Sequence, residues 1–366
     1  MSLTVLILAL LLFPYMGVMI IIYFGWRRLH TPALTEYEPT VSILVAARNE
    51  AKHLPHLLRD FQQLDYPREK LEILIADDHS QDETASLAAS FPGVRVLRPA
   101  NSSCSFLGKK EALKALANEA SGDILLFTDA DCRVKPGWVK AMITPFKQAN
   151  IHMVAGPVKL TGNAMMELEF YSLAISTAGG IGAGIPLMCN GASLAFRRKT
   201  WVSLAENLPA SHLSSGDDVF MMMALIKQKG TSAIAWCASR EAIVSTPAPV
   251  NLKEFFLQRI RWAGKSGQYT HRPSQWVALV VLFTNFIFVF SLVLLFTSGI
   301  IWPWLTIFLL KSLPDFILLW EATGFYQKRL LLCFFIPLQI LYPIYVVAIG
   351  AGTLLVKPRW KGRPVR

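Results

Sequence analysis

Apolar runs of bilayer length stand at both ends of this chain, and they constrain everything between them. Leu3 to Phe24 is almost continuously apolar, and about 20 such residues span the hydrocarbon core as a helix. A secretory signal peptide is the rival reading. It is the weaker one, because no basic segment precedes the run and no small-residue cleavage site follows it. Arg27 and Arg28 come next, so the positive-inside rule puts the N-terminus outside and the following residues inside. The C-terminal third repeats the pattern with Trp276 to Ile301, Trp302 to Trp320 and Leu330 to Val356. The second of these holds Lys311, Pro314 and Asp315; Lys311 and Asp315 have the i,i+4 spacing to pair on one helix face, which lowers the cost of burial. The third is interrupted by Pro337 and Pro343, and basic residues flank it on both sides, so one of these segments is expected to be interfacial or re-entrant. The expected parts are an N-terminal transmembrane helix (1–25), a cytosolic domain (26–272) and a C-terminal membrane region with a basic tail (273–366).

The chain is 53% hydrophobic with a formal net charge of +11. That balance suits an anionic membrane surface or an anionic substrate. Nucleic acid is not expected as a partner, because the basic residues form no long run before the tail and no nucleic-acid motif is present. Five scattered cysteines without a C-x-x-C pair argue against a disulfide framework or a zinc site.

The middle alternates short apolar runs with helical periodicity. Strands are expected at Val41 to Ala47, Leu71 to Ala76, Val94 to Leu97 and Asp123 to Thr128, and helices at Ala51 to Leu64, Asp82 to Ser90 and Lys109 to Glu119. Such alternation implies crossover units and a mostly parallel sheet, an α/β class, with ligands at the carboxyl ends of the strands. Asp77-Asp78 follows the second strand and Asp129-Ala130-Asp131 the fourth, so two acidic clusters fall on one rim. Converging carboxylates repel one another, and a hard divalent cation, Mg2+ or Mn2+, is their natural partner. Each cluster alone is as readily a helix or turn cap, the role expected of Ser80 and Asp82.

A third pair, Asp217-Asp218 after Gly216, opens a Met-rich helical segment. It reads as an N-cap or as a base that takes a proton from an attacking hydroxyl. Asn251 to Gln268 is basic and amphipathic, which suits an interfacial helix near 251–268; within it, Arg261 could hold a diphosphate and Trp262 offer a flat face to a sugar or aglycone. No G-x-G-x-x-G follows the first strand, and Gly108-Lys109-Lys110 lacks the spacing of a phosphate loop.

Asp77-Asp78, Asp129-x-Asp131, Asp217-Asp218 and Gln258-x-x-Arg261-Trp262 occur in that order. The series resembles the D, DxD, (E/D)D, QxxRW set of membrane-bound family 2 glycosyltransferases, which includes cellulose, hyaluronan and poly-N-acetylglucosamine synthases and ceramide glucosyltransferases. The resemblance runs from about Thr40 to Trp262, with Val45 to Glu50 and Gly108 to Leu113 as further family-like segments. It implies a GT-A fold and inverting transfer from a nucleotide-sugar, by family weighting a UDP-sugar, to a lipid-linked or glycan acceptor at the membrane. It implies donor contacts from Asp77, Asp78, Asp129, Lys109, Arg48 and Glu50, and metal coordination by Asp131. Asp218 would be the base, with Asp217 beside it, and Gln258, Arg261 and Trp262 would close over diphosphate and acceptor. Asn190 to Ser193 resembles a loop near the acceptor. His79 departs from the pattern, where Gly is common. A processive polysaccharide synthase and a membrane scaffold or transporter with a degenerate transferase domain are the alternatives. The implied location is a bacterial inner membrane, with membrane lipids as neighbours.

Overall fold

The computed structural model describes residues 10–30, 36–99, 106, 108–206, 217–299, 301–355, 359–360 and 363–364. The helices, in chain order, are α1 (Phe13–Arg28), α2 (Leu54–Gln62), α3 (Thr84–Ala89), α4 (Lys109–Glu119), α5 (Trp138–Ile143), α6 (Ala164–Gly182), α7 (Arg198–Glu206), α8 (Asp217–Lys229), α9 (Leu252–Ala263), α10 (Arg272–Ser298), α11 (Ile301–Phe325) and α12 (Phe335–Leu355). The strands are β1 (Val41–Ala47), β2 (Leu71–Asp77), β3 (Val94–Leu97), β4 (Ile124–Asp129), β5 (Met153–Ala155), β6 (Val158–Thr161), β7 (Leu194–Arg197), β8 (Ile234–Trp236) and β9 (Val244–Pro247). By contact the chain divides into two compact units, one of Met1–Arg28, Gly162–Leu187 and Ala248–Val365, the other of Leu29–Thr161, Met188–Pro247 and Arg366.

The second unit holds a seven-stranded sheet in the order β3-β2-β1-β4-β7-β5-β8. Within it β7 alone runs antiparallel, pairing with β4 and β5; the other pairs are parallel, as the alternation in sequence implied. β1 is apolar except for Ser42, because most of its residues are buried, the pattern of a strand covered on both faces; the buried Ser42 hydroxyl donates to Glu72. In α2, Leu54, Leu57, Leu58 and Phe61 point inward as their spacing predicts. The helix starts three residues later than expected, because residues 50–53 form a turn closed by the Leu54 amide on the Glu50 carbonyl (2.9 Å), and Pro55 then occupies the first helical turn. β6 and β9 form a separate parallel pair, to which Arg133 adds an isolated antiparallel bridge at Ser245.

The first unit gathers α1, α6 and α9 to α12. The helix α6 was not foreseen; it lies inside the stretch 26–272 yet packs with α1 and the C-terminal helices. Its crossing with α1 is backbone against backbone. A Cβ placed on Gly25 would stand 1.9 Å from the Gly179 carbonyl oxygen, and one on Gly179 would stand 2.3 Å from that of Ile22. Gly179→Leu and Gly25→Leu are each expected to destabilise this unit by overpacking, by about 1–3 kcal/mol or more. Thermal unfolding of the purified chain in detergent checks this, and unchanged midpoints for both variants would reject the close crossing.

Lys311 and Asp315 form the expected pair, Nζ to Oδ2 at 2.8 Å. The pair is part of a larger buried cluster. Lys311 Nζ also donates to Gln339 Oε1 (3.0 Å), Gln339 Nε2 donates to Asp315 Oδ2 (3.0 Å), and the Tyr15 hydroxyl donates to Asp315. One polar knot thus ties α1, α11 and α12 together. Among the described residues, Arg272–Ser298 and Arg329–Leu355 are long and apolar enough to cross a membrane. The outer face of α10 presents Phe283, Phe286, Phe290 and Phe296. Residues 1–9, the Pro32 linker, residues 100–105 with Cys104, Gly216 and most of the basic tail lie outside the described residues.

Candidate active site

The site grows from the carboxyl ends of three adjacent strands. Ala47 of β1 is in register with Asp77 of β2, and Ala46 with Asp129 of β4. Neighbouring strands lie about 4.8 Å apart, so the two acidic residues flank β1 roughly 10 Å from each other. Both are the last residues of their strands rather than the first of the loops that follow.

The loops after β1 and β2 lock into each other. Asn49 and His79 both have positive φ, 52° and 58°, the region that favours glycine. Glycine, which the resemblance implies where His79 stands, takes this conformation without strain. The Asn49 amide donates to Ser80 Oγ (3.0 Å), and Asn49 Oδ1 accepts from the Gln81 amide (2.8 Å). The Glu50 amide donates to Thr84 Oγ1 (2.8 Å), and Asp82 accepts from both the Ala51 amide (3.1 Å) and the Thr84 amide (3.0 Å). Ser80 and Asp82, expected as caps, therefore also staple one loop to the other.

The two members of the first acidic pair differ. Asp78 is 1% exposed and engaged internally: Oδ2 accepts from the Gly108 amide (3.1 Å), Oδ1 faces His79 Nδ1 (3.1 Å), and its carbonyl receives Arg48 Nη1 at 3.4 Å. Asp77 is 7% exposed, and its Oδ1 has no hydrogen-bond partner among the described residues. A buried acceptor in that state calls for a donor that binds there.

The Asp78–Gly108 bond sets the start of α4. Gly108 has φ +93° with open space where a Cβ would be, so the constraint there is conformational. Lys109, the first residue of the helix, is thereby aimed at β4 and forms an ion pair with Asp129 Oδ1. On the other side of this pair lies the loop before β7. The Gly191 amide donates to Asp218 Oδ2 (2.8 Å), while Asp218 Oδ1 accepts from the Val219 amide (2.9 Å). A Cβ on Gly191 would stand 3.4 Å from Asp218 Oδ2 and 3.7 Å from Lys109 Nζ. Lys109, Asp129, Gly191 and Asp218 are therefore neighbours, from four separate stretches of sequence. Asp217 opens α8 beside Asp218.

The Asp129–Asp131 turn is held firmly. The Cys132 amide closes it on the Asp129 carbonyl (3.1 Å). Arg133 forms a two-pronged pair with Asp60 on α2 at 2.6 Å for each contact, and the same carboxylate accepts from the Val134 amide (3.2 Å). Sequence reasoning missed Asp60, which neither motif nor periodicity marks; it placed Gly191 in a loop near the acceptor but did not foresee its bond to Asp218. Burial, with the negative charges of Asp129 and Asp131, pushes the Cys132 thiol well above its usual range, so it stays protonated. The turn therefore offers hard carboxylate oxygens and no thiolate, a donor set that fits Mg2+ or Mn2+. Among the described residues no three His, Cys, Asp or Glu side chains form a metal cluster of their own. An ion such as Mg2+ is commonly held by one or two carboxylates and completed by substrate phosphates.

Gln258, Arg261 and Trp262 belong to the other unit, on α9. Asn251 caps this helix, its Oδ1 accepting from the Glu254 amide (2.9 Å). All three side chains are half-buried.

Sequence models of "Glycosyl transferase family 2" and "Glycosyl transferase family group 2" match residues 42–175 and 124–346. A glycosyltransferase of Haloferax volcanii is 26% identical over 132 residues, 35% of this chain and 42% of its own length. A beta-monoglucosyldiacylglycerol synthase of Trichormus variabilis is 34% identical over 120 residues, 32% of this chain and 25% of its own length. The chain thus spans less than half the length of these relatives. A solved mannosyltransferase from Pyrobaculum calidifontis, in complex with GDP-Man and Mn2+, superposes with a TM-score of 0.56 at 16% identity, covering 96% of this chain and 99% of that one. At that identity the likeness speaks for the fold, a GT-A arrangement.

Proposed function

This chain belongs to glycosyltransferase family 2, and from that premise we propose that it transfers a sugar, with inversion, from a nucleotide-sugar to a lipid-linked or membrane-adjacent acceptor. The observation that carries this reading is the meeting of Lys109, Asp129, Gly191 and Asp218 beside the Asp131 turn. Asp77 Oδ1 offers a buried acceptor to an N–H of the nucleoside, with Asp78, Arg48 and Glu50 shaping the loops around it. A divalent cation held by Asp131 with Asp129 would stabilise the charge of the departing diphosphate. Lys109 adds a fixed positive charge at the same place. Asp218 accepts the proton of the acceptor hydroxyl as its oxygen attacks the anomeric carbon; the bond to the diphosphate breaks, and the diphosphate leaves with the electron pair. No second carboxylate is assigned as a nucleophile, in keeping with inversion.

The exposed aromatic face of α10 and the two bilayer-length helices support placement in a membrane. The name of the Trichormus relative, a diacylglycerol glucoside synthase, supports a lipid acceptor. The nucleotide of the Pyrobaculum neighbour widens the candidates beyond UDP. Full-length protein in detergent should therefore be screened against UDP- and GDP-sugars with Mn2+ or Mg2+, reading released nucleoside diphosphate. Turnover of one donor is the expected result; none with any donor, acceptor lipid and metal would reject the reading. Product length separates single transfer from polymer synthesis.

Trp262→Ala is expected to raise the acceptor KM while leaving the affinity for donor near that of the wild type, because an aromatic face is lost and no donor-side charge changes. A large loss of donor affinity, by calorimetry, would count against placing Trp262 on the acceptor side.

A further inference from the structure

The Gln258-x-x-Arg261-Trp262 series leaves Arg259 without a role, yet Arg259 is 4% exposed and fully engaged. Its Nε and Nη2 donate to Glu169 Oε1 and Oε2 at 3.1 and 2.5 Å, a forked pair with a carboxylate on α6 that is itself 7% exposed. Its Nη1 donates to Gln258 Oε1 at 2.6 Å. Its guanidinium carbon lies 4.4 Å from the Trp262 ring centroid and 4.6 Å from that of Phe255. Glu169 also accepts from the Tyr345 hydroxyl on α12 (3.3 Å).

A guanidinium has donors only, so the end of the Gln258 amide that faces it must be the oxygen. The NH2 end is then turned away and can donate to a phosphate or sugar oxygen. The same cation, held over the indole, fixes the plane of Trp262. A buried guanidinium keeps its charge and place only with a carboxylate partner. Arg259 is thus the intermediary, and Glu169 the residue that holds it.

We propose that Glu169 is a positioning residue for transfer: through Arg259 it orients the Gln258 amide as a hydrogen-bond donor and sets the Trp262 face. The proposal rests on the transferase reading above. Removing Glu169 alone would leave an unpaired buried charge, so that variant can fail for reasons of folding. The combination of Glu169→Gln with Arg259→Met removes both charges, keeps an acceptor for Tyr345 and deprives Gln258 and Trp262 of the guanidinium. Pairs replaced in this way are often neutral for stability. The full chain, labelled with 5-fluorotryptophan in detergent, reports Trp262 by 19F resonance, the line being assigned by its loss in Trp262→Phe.

The expected result is a double variant with a near-wild-type melting point, a Trp262 line shifted by more than its width, and a kcat about 10²-fold lower with a much smaller change in donor KM. A folded double variant with wild-type kcat, or an unmoved Trp262 line, overturns the proposal. Should the wild type turn over no nucleotide-sugar, the functional reading fails, and the Trp262 line alone decides whether the Glu169–Arg259 pair positions the ring.

Discussion

Asp218→Asn is expected to fold, bind donor and transfer sugar about 10²- to 10⁴-fold more slowly, the range a general base contributes. The carboxylate has about four lone-pair sites, and the Gly191 and Val219 amides occupy two of them. The remainder can receive a proton from the acceptor. Asparagine keeps one acceptor oxygen and turns an NH2 toward the other amide, so it loses basicity and one of the two bonds. The stability cost of that bond is about 1 kcal/mol, far too little to explain such a loss in rate. The measurement is kcat from released nucleoside diphosphate, alongside donor Kd and a melting curve. A folded variant with near-normal transfer would reduce Asp218 to a helix cap that holds the Gly191 loop, and Asp217 would be the next base to test.

The second large effect is expected at the metal turn. Asp131→Ala should lower turnover by about 10²-fold or more, since charge stabilisation by a bound cation is worth several kcal/mol. The fold should survive, because the turn is held by the Arg133–Asp60 pair, the Arg133–Ser245 bridge and the Cys132 amide, none of which uses the Asp131 carboxylate as an acceptor from the main chain. Mn2+ binding followed by electron paramagnetic resonance, with and without nucleoside diphosphate, gives a readout separate from rate: the variant should bind the ion weakly in both states. Full activity of the wild type in excess chelator, or unaltered Mn2+ affinity in Asp131→Ala, would remove the metal from this site.

Much of this was legible in the chain itself. β1, β3 and α4 fall at the residues expected, because short apolar runs and a 3.6-residue period are local consequences of burial. The acidic residues could be placed on one rim because parallel crossover units put every strand's carboxyl end on the same side. The i,i+4 spacing of Lys311 and Asp315 foretold their pair.

What sequence could not supply were relations between distant stretches. Residue type does not distinguish Asp77 from Asp78; contacts with the Gly108 amide and the His79 ring make one an engaged strut, while Oδ1 of the other is an open acceptor among the described residues. Nor does any period mark Gly191 as the donor to Asp218, Asp60 as the anchor of the Asp131 turn, or Glu169 as the partner of Arg259. The helix α6 escaped notice because glycines and two buried glutamates dilute its pattern, and its place is decided by the backbone contact of Gly179 with α1. Periodicity encodes which face of an element is buried. Which charge meets which is decided by loop closure over tens of residues, and that exists only once the chain has folded.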